Sequence, residues 1–296
     1  MTKRTLFIII GLLVLLDVAA MIIYVAGHYN RDDEHTEAVP ADIISQDLKV
    51  DRFDTIQTTA NFLSTDKMLD RGEPKKMSAT IMFKMVWPKE VNGNKNVKEL
   101  ENALMTKITG TIYPNIKTLV DNVMSKPRFA KPSIHFTRVG ADFSSSTGAS
   151  HTTHRYLVFP YFSTMYRLEM IVILDTFNGT RNTRSMRIVH YDRMHDKAIA
   201  TDHIFDSTQT NEIIALINQS IEGMKLEKKK DNLHEISSIP TEFLLGERSV
   251  IFYVEQDSKL YEVRVKNNDM KPFFTDEYNE IINNDSHFIA YEYLTW

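Results

Sequence analysis

The densest group of side chains able to do chemistry lies in the segment 190–196, which reads HYDRMHD. Imidazole and carboxylate groups are ligands for zinc and other divalent metal ions, and paired carboxylates can also transfer protons. If residues 188–191 form a strand, alternation places His190 and Asp192 on one face, whereas His195 follows in a turn. The segment therefore allows two interpretations: a metal-dependent or hydrolytic site built from His190, Asp192 and His195, or a polar turn that ends a strand.

The rest of the sequence carries no catalytic signature. A zinc-protease helix needs a glutamate where Thr152 stands, so we interpret His151 and His154 as surface histidines. The sequence has no phosphate-binding loop, no dinucleotide fingerprint and no nucleophile elbow. It also has no cysteine, which excludes thiol catalysis and disulfides. We therefore expect neither catalysis nor a cofactor.

Three segments are predicted to form the helices that position these side chains. Apolar residues recur at three-and-four spacing through 97–123, and Pro114 is expected to kink or divide that helix. Residues 211–228 repeat the pattern and end in lysines, which suit the negative end of a helix dipole. A short helix is predicted over 276–283. Each helix presents an apolar stripe that needs a partner surface.

The predicted strands are rich in aromatic and β-branched residues. They cover 78–87, two stretches within 155–177, the stretch 185–191, and a hairpin formed by 249–256 and 260–266. Strands and helices do not alternate regularly, which favours an α+β fold over a doubly wound fold. We predict a mainly antiparallel sheet packed with two or more helices.

The N-terminal part of the chain has the composition of a membrane anchor. Residues 6–27 form one apolar run, and a helix of that length crosses a hydrocarbon core about 30 Å thick. Lys3 and Arg4 precede the run, whereas the segment 28–37 after it is acidic, which places the N-terminus in the cytoplasm. The alternative is a cleaved signal peptide, but the apolar run continues beyond the candidate cleavage site.

These features divide the chain into four predicted parts. Residues 1–5 form a cytoplasmic stub, 6–27 a transmembrane anchor, 28–50 a stalk, and 51–296 an α+β domain outside the cytoplasm. Asp17 lies near the middle of the anchor, where a carboxylate costs roughly 2.5–3.5 kcal/mol to insert. Asp17 is either tolerated in its protonated form or contacts a partner helix.

The part of the chain after the predicted anchor is mildly acidic. Residues 28–296 carry 33 lysine and arginine residues and 38 aspartate and glutamate residues. A general nucleic-acid-binding protein has a basic face instead. We therefore expect the lipid bilayer to be a partner and nucleic acid not to be one.

From the predicted first strand onward, the order of short motifs resembles a known extracytoplasmic domain. The resemblance is to the C-terminal domain of RsiV-type anti-sigma factors, which also occurs in PdaC-type peptidoglycan deacetylases. The residues that carry it are the strand and helix at 77–88 and from 97, the stretch HYD to IF at 190–205, YEV at 261–263, and KPF at 271–273. The resemblance implies a non-enzymatic domain, which in RsiV-type proteins binds lysozyme outside the cell.

The leading hypothesis combines the anchor with this resemblance. It describes a membrane-anchored bacterial envelope protein whose extracytoplasmic domain binds or senses an envelope protein or peptidoglycan, without catalysis. One alternative is an envelope hydrolase or metal-dependent enzyme that uses His190, Asp192 and His195. Another is a structural subunit of an envelope complex, in which Asp17 pairs membrane spans.

Overall fold

A computed structural model describes residues 51–70, 73–125, 135–140, 151–164, 166–178, 181–228, 233–246, 248–257, 259–283 and 288–290. All of them belong to one compact unit, Leu48–Trp296. The predicted stub, anchor and stalk, with Lys3, Arg4 and Asp17, lie outside the described residues. Among the described residues, no helix combines the length and the apolar character that crossing a membrane requires.

The larger described sheet has eight strands. They are β1 (Arg52–Asp70), β2 (Glu73–Glu90), β3 (Phe136–Val139), β4 (His151–Thr164), β5 (Arg167–Phe177), β6 (Asn182–Asp192), β7 (Lys197–Ile199) and β11 (Phe288–Ala290). Their order is β3-β1-β2-β4-β5-β6-β7, and β11 pairs with the end of β4. The pairing of β2 with β4 is parallel and the other pairings are antiparallel.

The parallel pair requires a crossover connection, and two helices supply it. Helix α1 (Lys98–Thr109) and helix α2 (Ile116–Ser125) lie between β2 and β4 in the chain. Helix α1 ends at Gly110, whose left-handed φ of 76° suits a residue without a Cβ atom. The two helices confirm the helix predicted over 97–123 and its division near Pro114.

Helices α1 and α2 cover the first face of the large sheet, which we define as the face that carries Phe83 and Met85. Leu104 and Leu119 from the helices are fully buried in the same cluster as these two residues. The period of 3.6 residues in the helices and of two in the strands places both apolar sets toward each other. This packing forms the largest described core.

A smaller sheet packs on the second face of the large sheet, which carries Ile171 and Ile173. Its strands are β8 (Phe243–Leu245), β9 (Ser249–Gln256) and β10 (Lys259–Lys266), in the order β10-β9-β8. Leu244 and Ile251 of the small sheet contact the apolar residues of this face. Strands β9 and β10 confirm the predicted hairpin, whose turn uses a left-handed Asp257 with a φ of 50°.

The outer face of the small sheet is covered by helices. Helix α3 (Thr210–Lys228), the short α4 (Asn267–Met270) and α5 (Asp276–Asn283) contribute to one cluster with the small sheet. Ile213 and Ile217 of α3 are fully buried there against Phe252 and Val263. The described layers are therefore helices, large sheet, small sheet and helices.

The α+β fold with a mainly antiparallel sheet and several helices is confirmed. The parallel pairing of β2 with β4 is an exception to the antiparallel pairing that was predicted for most of the sheet. No pattern in the sequence predicts β1, although its 19 residues pair along most of β2. Its outward residues are threonine, asparagine and glutamine, so the apolar alternation is weak.

A buried ion pair ties the beginning of the described chain to the turn after β6. The Asp51 carboxylate accepts hydrogen bonds from Arg193 Nη2 at 2.6 Å, from the Asn92 backbone N–H at 2.9 Å and from Ser163 Oγ at 3.0 Å. Arg193 also donates from Nη1 to the Thr164 carbonyl oxygen. Both charged side chains are almost completely buried. Asp51 therefore contacts three segments that are distant in sequence.

Replacing Arg193 by glutamine should destabilise the protein by roughly 3–5 kcal/mol, because the Asp51 carboxylate would stay buried without its cationic partner. Urea unfolding of the full chain in detergent measures this change. Arg264→Gln is the control, because Arg264 and its partner Glu262 are both more than half exposed. Equal unfolding free energies for the two variants would contradict the role of this ion pair.

Candidate functional site

His190 lies in β6 on the second face of the large sheet and is buried. Its ring stacks on Phe243 with a centroid distance of 4.7 Å. Its Nδ1 atom lies 3.3 Å from Oε1 of Glu169, the neighbouring residue on β5. The side chain therefore faces the small sheet rather than an open site.

Asp192 ends β6 and organises the turn that follows. Its Oδ1 atom accepts hydrogen bonds from the backbone N–H groups of Met194 at 2.9 Å and His195 at 3.1 Å. His195 Nδ1 lies 2.7 Å from Oδ2 of the same carboxylate, and the His195 side chain is 71% exposed. Aspartate side chains stabilise turns in this way. These contacts agree with the interpretation of the segment 190–196 as a polar turn that ends a strand.

The three residues of the metal hypothesis are not brought together around one point. His190 contacts Phe243 and Glu169, whereas His195 extends into solvent beside Asp192. In the part of the chain that the structure describes, no three histidine, cysteine, aspartate or glutamate side chains are placed to share a metal ion.

His151 and His154 lie within β4, and both are half-buried rather than on the surface. His151 Nδ1 is 2.8 Å from Ser78 Oγ, and His154 Nδ1 is 3.4 Å from Thr176 Oγ1. Burial disfavours the charged imidazolium and lowers the pKa of both histidines. The interpretation of this pair as surface histidines is therefore wrong.

The lowered pKa of His154 predicts a stability that rises with pH. The unfolded chain binds a proton at this position more readily than the folded chain does, so stability is full above a pH of about 6.5 and is lost as the pH falls through the lowered pKa. We expect His154→Gln to lose less stability than the parent chain between about pH 7.5 and about pH 5.5. Thermal unfolding at both pH values measures this.

The control for this measurement is His234→Gln, because the His234 side chain is exposed. It should lose as much stability on acidification as the parent chain. An unchanged pH dependence in His154→Gln would show that another group is responsible.

A buried polar network joins the two sheets, and no motif in the sequence indicates it. Glu169 is 1% exposed, and its two carboxylate oxygens lie 3.2 and 3.1 Å from the Leu245 backbone N–H of β8. Arg167 lies 3.7 Å from Glu169, donates to Tyr278 Oη at 2.9 Å and stacks over the Phe162 ring. The signal in the sequence is a pair of charged residues two positions apart at the start of a strand, directly before five apolar residues.

Glu169→Gln should destabilise the protein by about 3 kcal/mol, because the buried Arg167 would lose its anionic partner while an acceptor for Leu245 remains. Chemical unfolding of the full chain measures the loss. Glu262→Gln is a matched control on an exposed carboxylate. A loss no larger than that of the control would show that the Glu169 charge does not hold the sheets together.

The described residues form an open cleft of about 470 Å³ beside the small sheet. One wall is the segment 235–242, and the other is formed by Tyr253, Gln256, Leu260 and Met186. The lining includes three glutamates and several hydroxyl groups, and it contains no lysine, arginine or histidine. Such a lining accepts hydrogen bonds and also offers apolar contact, which suits a ligand with many N–H or O–H groups.

Two side-chain amides hold the segment that forms the first wall. Gln256 of β9 accepts from the His234 N–H at 2.7 Å and donates to the His234 carbonyl oxygen at 2.8 Å. Asn218 of α3 bonds both backbone groups of Ile236 in the same way, at 2.8 and 3.0 Å. The segment is therefore fixed without belonging to a sheet.

Glu242 anchors the far end of this segment. Its carboxylate accepts from Lys107 Nζ at 2.9 Å and from the Ile188 backbone N–H at 2.6 Å, at the edge of β6. Burial, more than its charged neighbours, raises the pKa of Tyr253, so its phenol stays neutral in the cleft. Glu235 and Glu255 are the exposed carboxylates of the lining.

No family model matches the chain, and no curated protein matches it. Solved structures, in contrast, are similar to the chain. A DUF3298 family protein from Bacteroides fragilis has 14% sequence identity and a TM-score of 0.55, with 80% of this chain and 97% of that chain covered. A DUF3298 family protein from Pseudomonas aeruginosa has 10% identity and a TM-score of 0.47, with 77% and 97% covered.

The layered α+β arrangement is thus a class of fold that a solved protein shares. The likeness to the Bacteroides fragilis protein shows that the chain has a DUF3298-like fold. At 14% identity it concerns the fold alone.

Proposed function

We propose that this chain is a membrane-anchored bacterial envelope protein whose α+β domain lies outside the cytoplasm and binds a cell-wall or protein ligand. The observation that carries the proposal is the cleft of about 470 Å³ between the segment 235–242 and β9. A cleft of this size and mixed lining is typical of a site that binds by contact and hydrogen bonding. The apolar run at 6–27 supports the anchor.

The chemistry of the cleft favours a ligand rich in hydrogen-bond donors. Glu235 and Glu255 are exposed carboxylates, and an ionised carboxylate only accepts hydrogen bonds. Hydroxyl, amide and ammonium groups are the complementary donors, and saccharide–peptide polymers of the cell wall carry all three. The resemblance to RsiV-type and PdaC-type domains also supports a ligand of the cell envelope. The DUF3298-like fold is compatible with such a ligand.

The test uses the full chain in detergent or in lipid nanodiscs. Binding is measured by calorimetry with soluble muropeptides from digested peptidoglycan, and in parallel with a lysozyme-like protein. We expect Glu235→Gln and Glu255→Gln each to raise Kd about tenfold for the ligand that binds, because each removes one charge-assisted hydrogen bond. The fold should be unaffected, since both side chains are exposed.

Glu222→Gln is the matched control, because Glu222 is an exposed glutamate on α3 outside the cleft lining. Its Kd should equal that of the parent chain. Binding that is insensitive to both cleft variants would place the ligand elsewhere. If neither the muropeptides nor the lysozyme-like protein binds, the proposed function is contradicted.

A further inference from the structure

Part of the second face of the large sheet is not covered by the small sheet. Ile171 and Ile173 of β5 are buried against the small sheet, whereas Phe177, at the end of the same face of the strand, is 40% exposed. There, Arg155, Asp175 and Arg184 form one row across β4, β5 and β6. The two arginine side chains are 43% and 49% exposed.

Asp175 orients both guanidinium groups. Its carboxylate, which is 2% exposed, accepts from Arg184 Nε at 2.7 Å and Nη2 at 3.0 Å, and from Arg155 Nη2 at 2.9 Å. The hydrogen bond to Asp175 and the carboxylate charge raise the pKa of Arg184. Two cations therefore share one anion, and a positive charge remains on this row.

The two guanidinium groups keep donors for a further partner. Arg155 Nε and Nη1 and Arg184 Nη1 have no acceptor among the described residues. A planar guanidinium held in place by a carboxylate presents its remaining N–H groups in a fixed direction, which suits a planar oxyanion. The local excess of positive charge contrasts with the net charge of −4 of the whole chain.

This row adjoins the proposed ligand cleft. Met186, which lines the cleft, lies two residues after Arg184 in β6, and both side chains point to the second face. Residues two apart in a strand are separated by about 7 Å. The basic row and the acidic cleft thus lie next to each other on one surface, with opposite charges.

We infer that the ligand of the cleft is a peptide-bearing saccharide with a free carboxylate, and that Arg155 and Arg184 bind this carboxylate. The inference rests on the proposed function and adds to it that the ligand carries a carboxylate, bound by the arginine row. Donor groups of the ligand contact the glutamates of the cleft, and its carboxylate contacts the arginine row. A ligand that has only donor groups would contact the cleft alone, and a ligand that has only a carboxylate would contact the arginine row alone.

The experiment compares three probes on the full chain: a disaccharide–peptide muropeptide with free carboxylates, the same muropeptide converted to carboxamides, and neutral chitotetraose. We expect the free acid to bind about tenfold more tightly than the carboxamide, since a hydrogen bond between two charged groups is stronger than one from a charged group to a neutral amide. Arg155→Gln should weaken this preference, because only Arg184 then remains to bind the carboxylate.

Arg155→Gln is chosen because Asp175 keeps its two bonds to Arg184 and stays paired. Arg155→Lys, which retains the charge but not the planar fork, should recover only part of the preference. Arg52→Gln, at an exposed arginine at the start of β1, is the control and should bind like the parent chain. An unchanged thermal unfolding midpoint verifies that Arg155→Gln is folded.

Equal affinity for the free acid and the carboxamide would overturn the inference and leave the proposed function standing. A preference for the free acid that is undiminished in Arg155→Gln would also overturn it, because Arg155 would then take no part in binding the carboxylate. If no muropeptide binds but the lysozyme-like protein does, the inference fails while the proposed function is retained with a protein ligand.

Discussion

The carboxylate of Glu169 is buried between two sheets that belong to different parts of the chain. It accepts the Leu245 N–H of the small sheet while Arg167 and His190 approach it from the large sheet. A buried charge of this kind is stable only when its partners are all in place. The carboxylate therefore selects one position of the small sheet, and apolar contact alone would tolerate others. Because β9 is a wall of the cleft, the cleft depends on that position.

The elements that could be predicted from the sequence are those whose signal is local. Periodicity and Pro114 predicted the pair α1 and α2, and turn residues predicted the hairpin of β9 and β10. Strand β1 was not predicted, because polar threonine and asparagine residues occupy its open face and hide the alternation. The parallel pairing of β2 with β4 joins residues more than 70 positions apart, such as Ser78 and His151, and no local pattern specifies it.

The candidate site was predictable only in part. The turn that Asp192 stabilises follows from its sequence position, and this turn was one of two interpretations of the segment 190–196. The cleft could not be predicted, because Gln256 and Asn218 hold its wall by bonds to His234 and Ile236, 18 to 22 residues away. An amide side chain in a strand or helix gives no sign of the backbone that it will bind. The row of Arg155, Asp175 and Arg184 likewise exists only once three strands are in register.

The contacts of Asp51 have a mechanical consequence. Asp51 is the first described residue, and its carboxylate bonds the loop after β2, the end of β4 and the turn after β6. Tension on the preceding chain is therefore divided among three strands of the large sheet. The first residues of β1 cannot separate from β2 one hydrogen bond at a time until this junction opens. A pull from the N-terminal side of this domain therefore has to break bonds to three segments before β1 can separate from β2.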